Sequence, residues 1–190
     1  ELYNWQTGRG AQLFGWLLLF IIRKIGYTIM QKYSSVRLEI TSGCNLHCKY
    51  YHNSDFNNRY DDMSTDEILR LLKNLKDVYD VNKVLITGGE PLTQHDLTKI
   101  ISYISSLGIK PDMVTNGILL TDSKIKELDK AGLKRVRISI DEVNDCSLIR
   151  SKENPSNLWN TAAKVKELSN NIEVCIHTVC TPSNVDNLFE

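Results

Sequence analysis

Several features that would narrow the function at once are missing from this sequence. The 190 residues carry 23 Lys+Arg and 23 Asp+Glu, so neither charge is in excess. A balanced charge gives no broad electrostatic attraction to phosphate backbones, and we expect no nucleic-acid partner. Low-complexity segments and internal repeats are also lacking. The content of 42% hydrophobic and 24% charged residues is typical of a folded globular protein.

Cysteines are present in a number and spacing that exclude a small secreted disulfide scaffold. There are five, an odd count, in a chain of this length. We therefore expect a reducing, cytoplasmic location. The close pair Cys44 and Cys48 calls for either a metal or a packing interpretation. The other three, Cys146, Cys175 and Cys180, are interpreted as small apolar residues of the core or of loops.

The longest apolar run, residues 14–22, is shorter than the roughly 20 residues needed to cross a bilayer. Arg23 and Lys24 follow this run, whereas a signal peptide begins with its basic end. We interpret residues 1–34 as an N-terminal apolar or amphipathic helical segment. Two alternatives stay open: a helix packed on the domain or in an oligomer interface, and an interfacial helix that makes peripheral membrane contact through residues 11–31.

From residue 35 onward, strand-like and helix-like segments alternate. Ser64 and Glu67 form a capping box that predicts the start of a helix. Thr93 is predicted to cap the next helix, and Gly108 and Gly132 are predicted to end two helices. The predicted strands are residues 36–41, 83–87, 112–115, 135–140 and 172–179, and the predicted helices are 64–79, 93–108, 121–132 and 156–171.

This alternation predicts an α/β fold with parallel strands. Right-handed crossovers place the helices on the outside of a curved sheet or barrel. Functional loops then lie at the carboxyl ends of the strands. Four polar loops do follow predicted strands, at residues 41–53, 87–91, 115–117 and 139–141. Because the last residues read as the first turns of a helix, we expect the chain to be a fragment or a truncated form of a longer protein.

The loop "TSGCNLHCKYYHN", residues 41–53 and called the cysteine loop below, has the strongest chemical signal. It holds Cys44 and Cys48, with Tyr51 where a third cysteine would be expected. Thiolates are favoured ligands of iron–sulfur clusters and of zinc. A zinc site made by the two cysteines and His52 is an alternative to a cluster.

The loop "TGGEP", residues 87–91, follows a strand directly. Gly88 and Gly89 allow another group to approach the backbone closely and permit unusual backbone angles. Glu90 places a carboxylate at the strand end, which suits recognition of an ammonium group. The alternative is a tight turn before a helix.

Two more strand ends carry polar side chains. Asn116 and Gly117 tolerate positive φ and are typical of a turn. Ser139 and Asp141 lie two residues apart, so their side chains point to the same side of an extended strand. If that side is the barrel interior, both polar groups face one site.

Taken together, these loops resemble those of the radical S-adenosylmethionine (SAM) enzymes. The string "CNLHCKYY" is similar to the C-x3-C-x2-C loop of that family, with Tyr51 in place of the third cysteine. The resemblance covers residues 36–190 and implies a partial (β/α)6 barrel. Residues 35–190 supply five strands of it, so the resemblance implies an incomplete core that is truncated after the fifth strand. It also implies a [4Fe–4S] cluster and SAM as cofactors, and an enzyme that generates a 5′-deoxyadenosyl radical.

The resemblance assigns roles to residues of the loops. It implies that Cys44 and Cys48 are cluster ligands. The implied SAM-binding residues are Gly88, Gly89 and Glu90 at the methionine amine, Tyr50 beside the adenine, and Asn116, Ser139 and Asp141 along the ribose and carboxylate.

Tyr51 departs from the family pattern. Tyrosine has a pKa of about 10, so its phenolate is a poor substitute for a thiolate near neutral pH. We expect a weakly held cluster and little or no SAM cleavage by this chain. A non-catalytic barrel that serves as a scaffold or binds a partner is the alternative function.

The resemblance is strongest to the branch that contains molybdenum-cofactor biosynthesis enzymes and SPASM-type peptide-modifying enzymes. In the molybdenum-cofactor enzyme, an arginine before the GGE motif and a lysine on the fifth strand help to bind GTP. Leu85 and Cys175 stand at those positions here. We therefore expect a peptide or another small organic substrate, together with an electron donor.

Overall fold

The computed structural model describes residues 34–46, 48, 62–141, 155–180 and 184–187. All of them belong to the compact unit Lys32–Glu190. The predicted N-terminal segment, apart from Ser34, lies outside the described residues, and so does the membrane contact predicted for residues 11–31. None of the helices in the described part of the chain is long and apolar enough to span a bilayer.

Five strands and four α-helices alternate along the described residues. The strands form one sheet in the order β1-β2-β3-β4-β5, and every neighbouring pair is parallel. This arrangement confirms the predicted α/β fold, although the five strands do not close a barrel. The elements are β1 (Ser35–Glu39), α1 (Thr65–Tyr79), β2 (Lys83–Thr87), α2 (Leu97–Ser106), β3 (Lys110–Thr115), α3 (Asp122–Ala131), β4 (Arg135–Ser139), α4 (Pro155–Leu168) and β5 (Glu173–His177).

One face of the sheet is apolar and packs against the helices. Ile86 on β2 is 0% exposed and belongs to a single hydrophobic core. Because side chains alternate along a strand, every second residue contributes to this helix-covered face. Buried residues of the core include Val84, Met113, Val136 and Ile138 from the strands and Ile68, Leu72, Ile100, Ile104 and Leu128 from the helices.

The opposite face, called the open face below, carries charged side chains. Arg137 donates two hydrogen bonds to Asp112, at 2.9 and 2.6 Å, and the Asp112 side chain is 3% exposed. This hydrogen bonding raises the pKa of Arg137 above its ordinary value. Arg135 pairs with Glu173 and also lies 3.7 Å from Asp112. The part of the open face formed by β3, β4 and β5 therefore carries a cluster of paired charges.

The predicted helix signals are confirmed at three places. Ser64 and Glu67 form the capping box at the start of α1. Gly132 adopts a left-handed conformation with φ of 96° and ends α3. Gly108, with φ of 70°, follows the end of α2.

The predicted cap at Thr93 is wrong. The chain first forms a short 3-10 turn over Pro91–Thr93, and α2 begins only at Leu97. The Thr93 hydroxyl donates to the Glu90 carbonyl at 2.7 Å, so it caps no α-helix. The cause is local, because the Glu90 carboxylate accepts from the Leu92 amide at 3.0 Å and stabilises the short turn.

Candidate active site

The carboxyl ends of β1 and β2 bring two of the predicted loops into direct contact. The Gly89 amide donates to the Thr41 carbonyl at 2.8 Å, and the Glu90 amide donates to the Gly43 carbonyl at 2.8 Å. These bonds continue the pairing of β1 with β2 beyond the strand ends. The predicted loop 87–91 therefore forms one wall against the first residues of the cysteine loop.

The two glycines of this wall are required by the contact with the cysteine loop. A Cβ atom at Gly88 would collide with the backbone of Thr41, and one at Gly89 would collide with the carbonyl of Gly43. Gly88 also has φ of +149°, a value that L residues rarely adopt. The predicted close approach is present, and the approaching group is protein backbone. The predicted contact of these glycines with SAM stays a prediction.

Glu90 lies at the centre of the site and is 1% exposed. Its carboxylate accepts hydrogen bonds from the Thr115 hydroxyl at 2.7 Å, from the Asn116 amide at 2.7 Å and from the Leu92 amide at 3.0 Å. A buried carboxylate needs such donors, since an unsatisfied charge inside a protein is costly. Glu90 therefore ties the end of β2 to the end of β3. Its contact with the SAM ammonium group stays a prediction.

Asn116 connects this network to the cysteine loop. It is 9% exposed, and its Nδ2 donates to Asn45 Oδ1 at 2.8 Å. The Asn116 Oδ1 accepts a hydrogen bond from the Ile118 amide at 3.0 Å. Because Oδ1 is engaged there, the Nδ2 end of the side-chain amide faces Asn45. Gly117 next to it has φ of 79°, as predicted for this turn. The loop after β3 thus reaches the residue that follows Cys44.

The two candidate cluster ligands are partly buried. Cys44 Sγ accepts a hydrogen bond from the Leu46 amide at 3.4 Å. The thiolate is the form of cysteine that binds metals. Within the described residues, no group of three His, Cys, Asp or Glu side chains could hold a metal ion. Four residues of interest, His47, Tyr50, Tyr51 and His52, lie outside the described residues.

Sequence reasoning missed Asp62, which fastens the beginning of the cysteine loop. Its Oδ1 accepts from the Ser42 amide at 2.8 Å and its Oδ2 accepts from the Thr41 hydroxyl at 2.9 Å. Gln94, also missed, donates to the Ile40 carbonyl at 3.1 Å. No local pattern marks either residue, because both contacts join segments that are far apart in the sequence.

Ser139 and Asp141 lie at the carboxyl end of β4. Ser139 is partly buried and pairs in register with His177 of β5. Asp141 is 1% exposed, and its Oδ1 accepts from the Val179 amide at 3.0 Å. In the described residues Asp141 thus joins the ends of β4 and β5. The SAM contacts predicted for both side chains stay predictions.

A family model for this fold matches the chain. Residues 38–190 match the radical SAM superfamily. The chain therefore belongs to the radical SAM superfamily, a class of enzymes whose cofactors are a [4Fe–4S] cluster and SAM. The match begins in β1 and includes the cysteine loop and all the strand-end loops described above.

Two relatives in sequence are named as GTP 3′,8-cyclases, one of them as a probable one. The chain is 38% identical over 154 residues to a GTP 3′,8-cyclase of Clostridium perfringens (strain SM101 / Type A), covering 76% of this chain and 46% of that protein. It is 43% identical over 112 residues to a probable GTP 3′,8-cyclase of Methanococcus maripaludis (strain C6), covering 58% and 37%. The chain spans less than half the length of these relatives.

Solved structures with the same fold are more distant in sequence. Streptococcus suis SuiB bound to its precursor peptide SuiA superposes with a TM-score of 0.65 at 18% identity, covering 100% of this chain and 43% of SuiB. AnSMEcpe with bound AdoMet superposes with a TM-score of 0.61 at 21% identity, covering 75% and 42%. At these identities the likeness shows the fold alone, which is that of a partial radical SAM barrel.

Proposed function

We propose that this chain is the core of a radical SAM enzyme in which Cys44 and Cys48 hold a [4Fe–4S] cluster. The observation that carries the proposal is the hydrogen-bonded contact of the β2 and β3 loops with the cysteine loop. When bound, the cluster and SAM together supply the one-electron cleavage that yields a 5′-deoxyadenosyl radical. The protein supplies binding and orientation of the two cofactors.

The chemistry of several described residues supports a site for this pair of cofactors. Cys44 has a backbone N–H donor on its sulfur, which suits an anionic ligand. Gly88, Gly89 and Glu90 would receive the amino group of SAM, with the carboxylate as its counter-charge. The other residues proposed along SAM are Tyr50 at the adenine and Asn116, Ser139 and Asp141 at the ribose and carboxylate.

Tyr51 is proposed to impair the chain. Two thiolates leave the cluster with one protein ligand fewer than the three-cysteine loop of the family. The phenol of tyrosine stays protonated near neutral pH and does not replace the missing sulfur. A chain with Tyr51 would therefore hold a cluster weakly.

For the substrate, we propose a peptide or another small organic molecule, with an external electron donor. Three arginines of the open face, Arg37, Arg135 and Arg137, already pair with carboxylates. Leu85 and Cys175 add no cation to this face. These features favour a substrate without a triphosphate.

GTP is the second candidate substrate. It is favoured by the 38–43% identity to proteins named GTP 3′,8-cyclase. Equilibrium dialysis of the chain with GTP, with and without Mg²⁺, separates the two proposals. Retention of GTP at micromolar concentrations supports the nucleotide, and no retention supports the peptide or other organic substrate.

The proposal is tested by anaerobic reconstitution with iron and sulfide of this chain and of Tyr51→Cys. We expect only Tyr51→Cys to retain about four iron and four sulfide per chain and to form 5′-deoxyadenosine with a reductant. Tyr103→Cys, which adds a thiol on α2 instead, is the matched control and should behave like the unmodified chain.

Two outcomes would overturn this proposal. If Tyr51→Cys retains no iron and binds no SAM, the chain is a scaffold or a partner-binding barrel. If it retains zinc without sulfide, the cysteine loop is a zinc site.

A further inference from the structure

The first part of the cysteine loop, residues 41–46, makes hydrogen bonds to three other segments of the chain. We propose that Asn116 and Asp62 are positioning residues that hold Cys44 in place before any cofactor binds. The significance for cluster binding rests on the proposed function. The positioning itself is a property of the cofactor-free protein and is tested separately.

Asn116 is suited to this role because its backbone amide and its side-chain oxygen are already engaged. Its backbone amide donates to the buried carboxylate of Glu90 at 2.7 Å, and its Oδ1 accepts from the Ile118 amide at 3.0 Å. With the backbone and one end of the side chain fixed, Nδ2 has one orientation. That orientation directs it to Asn45 Oδ1 at 2.8 Å.

Asn45 transmits this restraint to the first cysteine. It follows Cys44 directly in the chain, so fixing its side chain restricts the backbone on one side of Cys44. On the other side of Cys44, the Gly43 carbonyl accepts from the Glu90 amide at 2.8 Å. Cys44 is thus bracketed by two contacts that both lead back to Glu90.

Asp62 provides the second point of attachment. Its two carboxylate oxygens accept from the Thr41 hydroxyl at 2.9 Å and from the Ser42 amide at 2.8 Å. Asp62 comes after the cysteine loop in sequence, whereas Thr41 and Ser42 begin it. Asp62 therefore attaches the chain that follows the cysteine loop to the first two residues of that loop.

A loop held in this way loses less conformational freedom when it binds a ligand. The restraint reaches Cys44 through hydrogen bonds between groups of the protein itself, so it does not depend on iron. Removing either side chain should leave the fold intact while increasing the motion of Cys44. The expected signature is faster chemical modification of the Cys44 thiol.

The experiment measures the rate at which iodoacetamide modifies Cys44 in the cluster-free chain, with the site of modification read by peptide mass mapping. Asn45→Ala and Asn116→Ala are expected to raise the rate about threefold to tenfold each, because each removes the Asn45–Asn116 hydrogen bond. The double variant should be no faster than the faster single variant. Asp62→Ala should add to either change, since it acts on a separate contact.

Rates are followed from about pH 6 to pH 10, so that the plateau at high pH reports exposure separately from the pKa of the thiol. Asn45→Asp keeps an oxygen opposite Asn116 Nδ2, and its plateau rate should stay near that of the unmodified chain. Asn82→Ala, an exposed change before β2, is the control for substitution as such. Cys180, which is exposed, serves as the internal reference within every sample.

Additive effects of Asn45→Ala and Asn116→Ala, or a plateau for Asn45→Asp as fast as that of Asn45→Ala, would overturn the positioning by Asn116. An unchanged rate in Asp62→Ala would overturn the role of Asp62. If these rates behave as expected while Tyr51→Cys binds no iron, the positioning stands and the proposed function fails. If Tyr51→Cys is active while the two asparagines act independently, the proposed function stands and the positioning by Asn116 fails.

Discussion

The two faces of the same sheet differ in what their side chains do. Ile86 and Leu85 are neighbours on β2, yet Ile86 is fully buried under the helices and Leu85 is partly exposed on the open face. The helix-covered face stabilises the fold through apolar burial. The open face carries the charged side chains, and the carboxyl ends of the strands carry the hydrogen-bonded loops. Stability and chemistry are therefore separated within single strands, one residue apart.

The largest expected effect breaks the helix-covered face. Ile86→Ala should lower the free energy of unfolding by about 2–5 kcal/mol, because it leaves a cavity in a packed core. Leu85→Ala, the matched change on the open face, should cost about 1 kcal/mol or less, since its side chain is only partly removed from water. Urea unfolding of both variants measures the difference. Equal losses would contradict the distinction between the two faces.

A smaller effect is expected where the two loops meet. Gly89→Ala should lower the free energy of unfolding by about 1–3 kcal/mol, because the new Cβ displaces the Gly43 carbonyl. Gly108→Ala is the control, since a Cβ there meets no neighbouring atom and only the positive φ is unfavourable, at about 1 kcal/mol. In reconstituted Tyr51→Cys protein, Gly89→Ala should also reduce iron retention, and Gly108→Ala should not. Equal iron retention in the two variants would show that the loop 87–91 does not determine the conformation of the cysteine loop.

The open-face ion pairs sharpen the comparison further. Asp112→Asn removes the charge that both arginines of β4 share and should cost about 1–2 kcal/mol in the free energy of unfolding. Glu39→Gln alters the exposed pair with Arg37 and should cost less than about 1 kcal/mol. Chemical denaturation of both variants at low and at high salt measures the two costs separately. A cost for Glu39→Gln as large as that for Asp112→Asn would mean that burial does not set the strength of these pairs.

The smallest expected effect concerns pH. The hydrogen bond from Thr65 and then the contact with His95 hold the pKa of Asp96 below its ordinary value. A carboxyl group with a lowered pKa stabilises the fold above its unfolded pKa of about 3.9, and the stabilisation is lost as the pH falls through the lower folded value. Thr65→Val removes the main cause. Stability measured from about pH 6 down to pH 2 should therefore fall less steeply in Thr65→Val than in the unmodified chain, and parallel curves would contradict this assignment.

Local patterns in the sequence were sufficient for much of the fold. The capping box at Ser64 and Glu67 and the glycine at 132 act through neighbouring residues, so their spacing predicts them. The parallel order of strands follows from their alternation with helices. The prediction that Thr93 caps a helix failed because the buried carboxylate of Glu90 stabilises a 3-10 turn there. The periodicity of the helix does not reveal this turn.

The site was predicted as a set of loops but not as a network. The sequence indicates that the loops after β1, β2 and β3 meet, because parallel strands end at one edge. It does not indicate that Asn116 reaches Asn45, or that Asp62 binds the first residues of the cysteine loop. Such pairs depend on the strand register and on how far each loop extends beyond its strand. Both are determined by packing across the whole sheet.

The central claim is that the carboxyl ends of the strands, on the open face of the sheet, form a radical SAM site. The most direct test is the electron paramagnetic resonance spectrum of reduced, reconstituted Tyr51→Cys protein before and after addition of SAM. The account predicts a changed cluster signal with SAM and an unchanged one with adenosine, which lacks the amino and carboxylate groups that would reach the iron. A cluster signal that SAM leaves unchanged would contradict the claim.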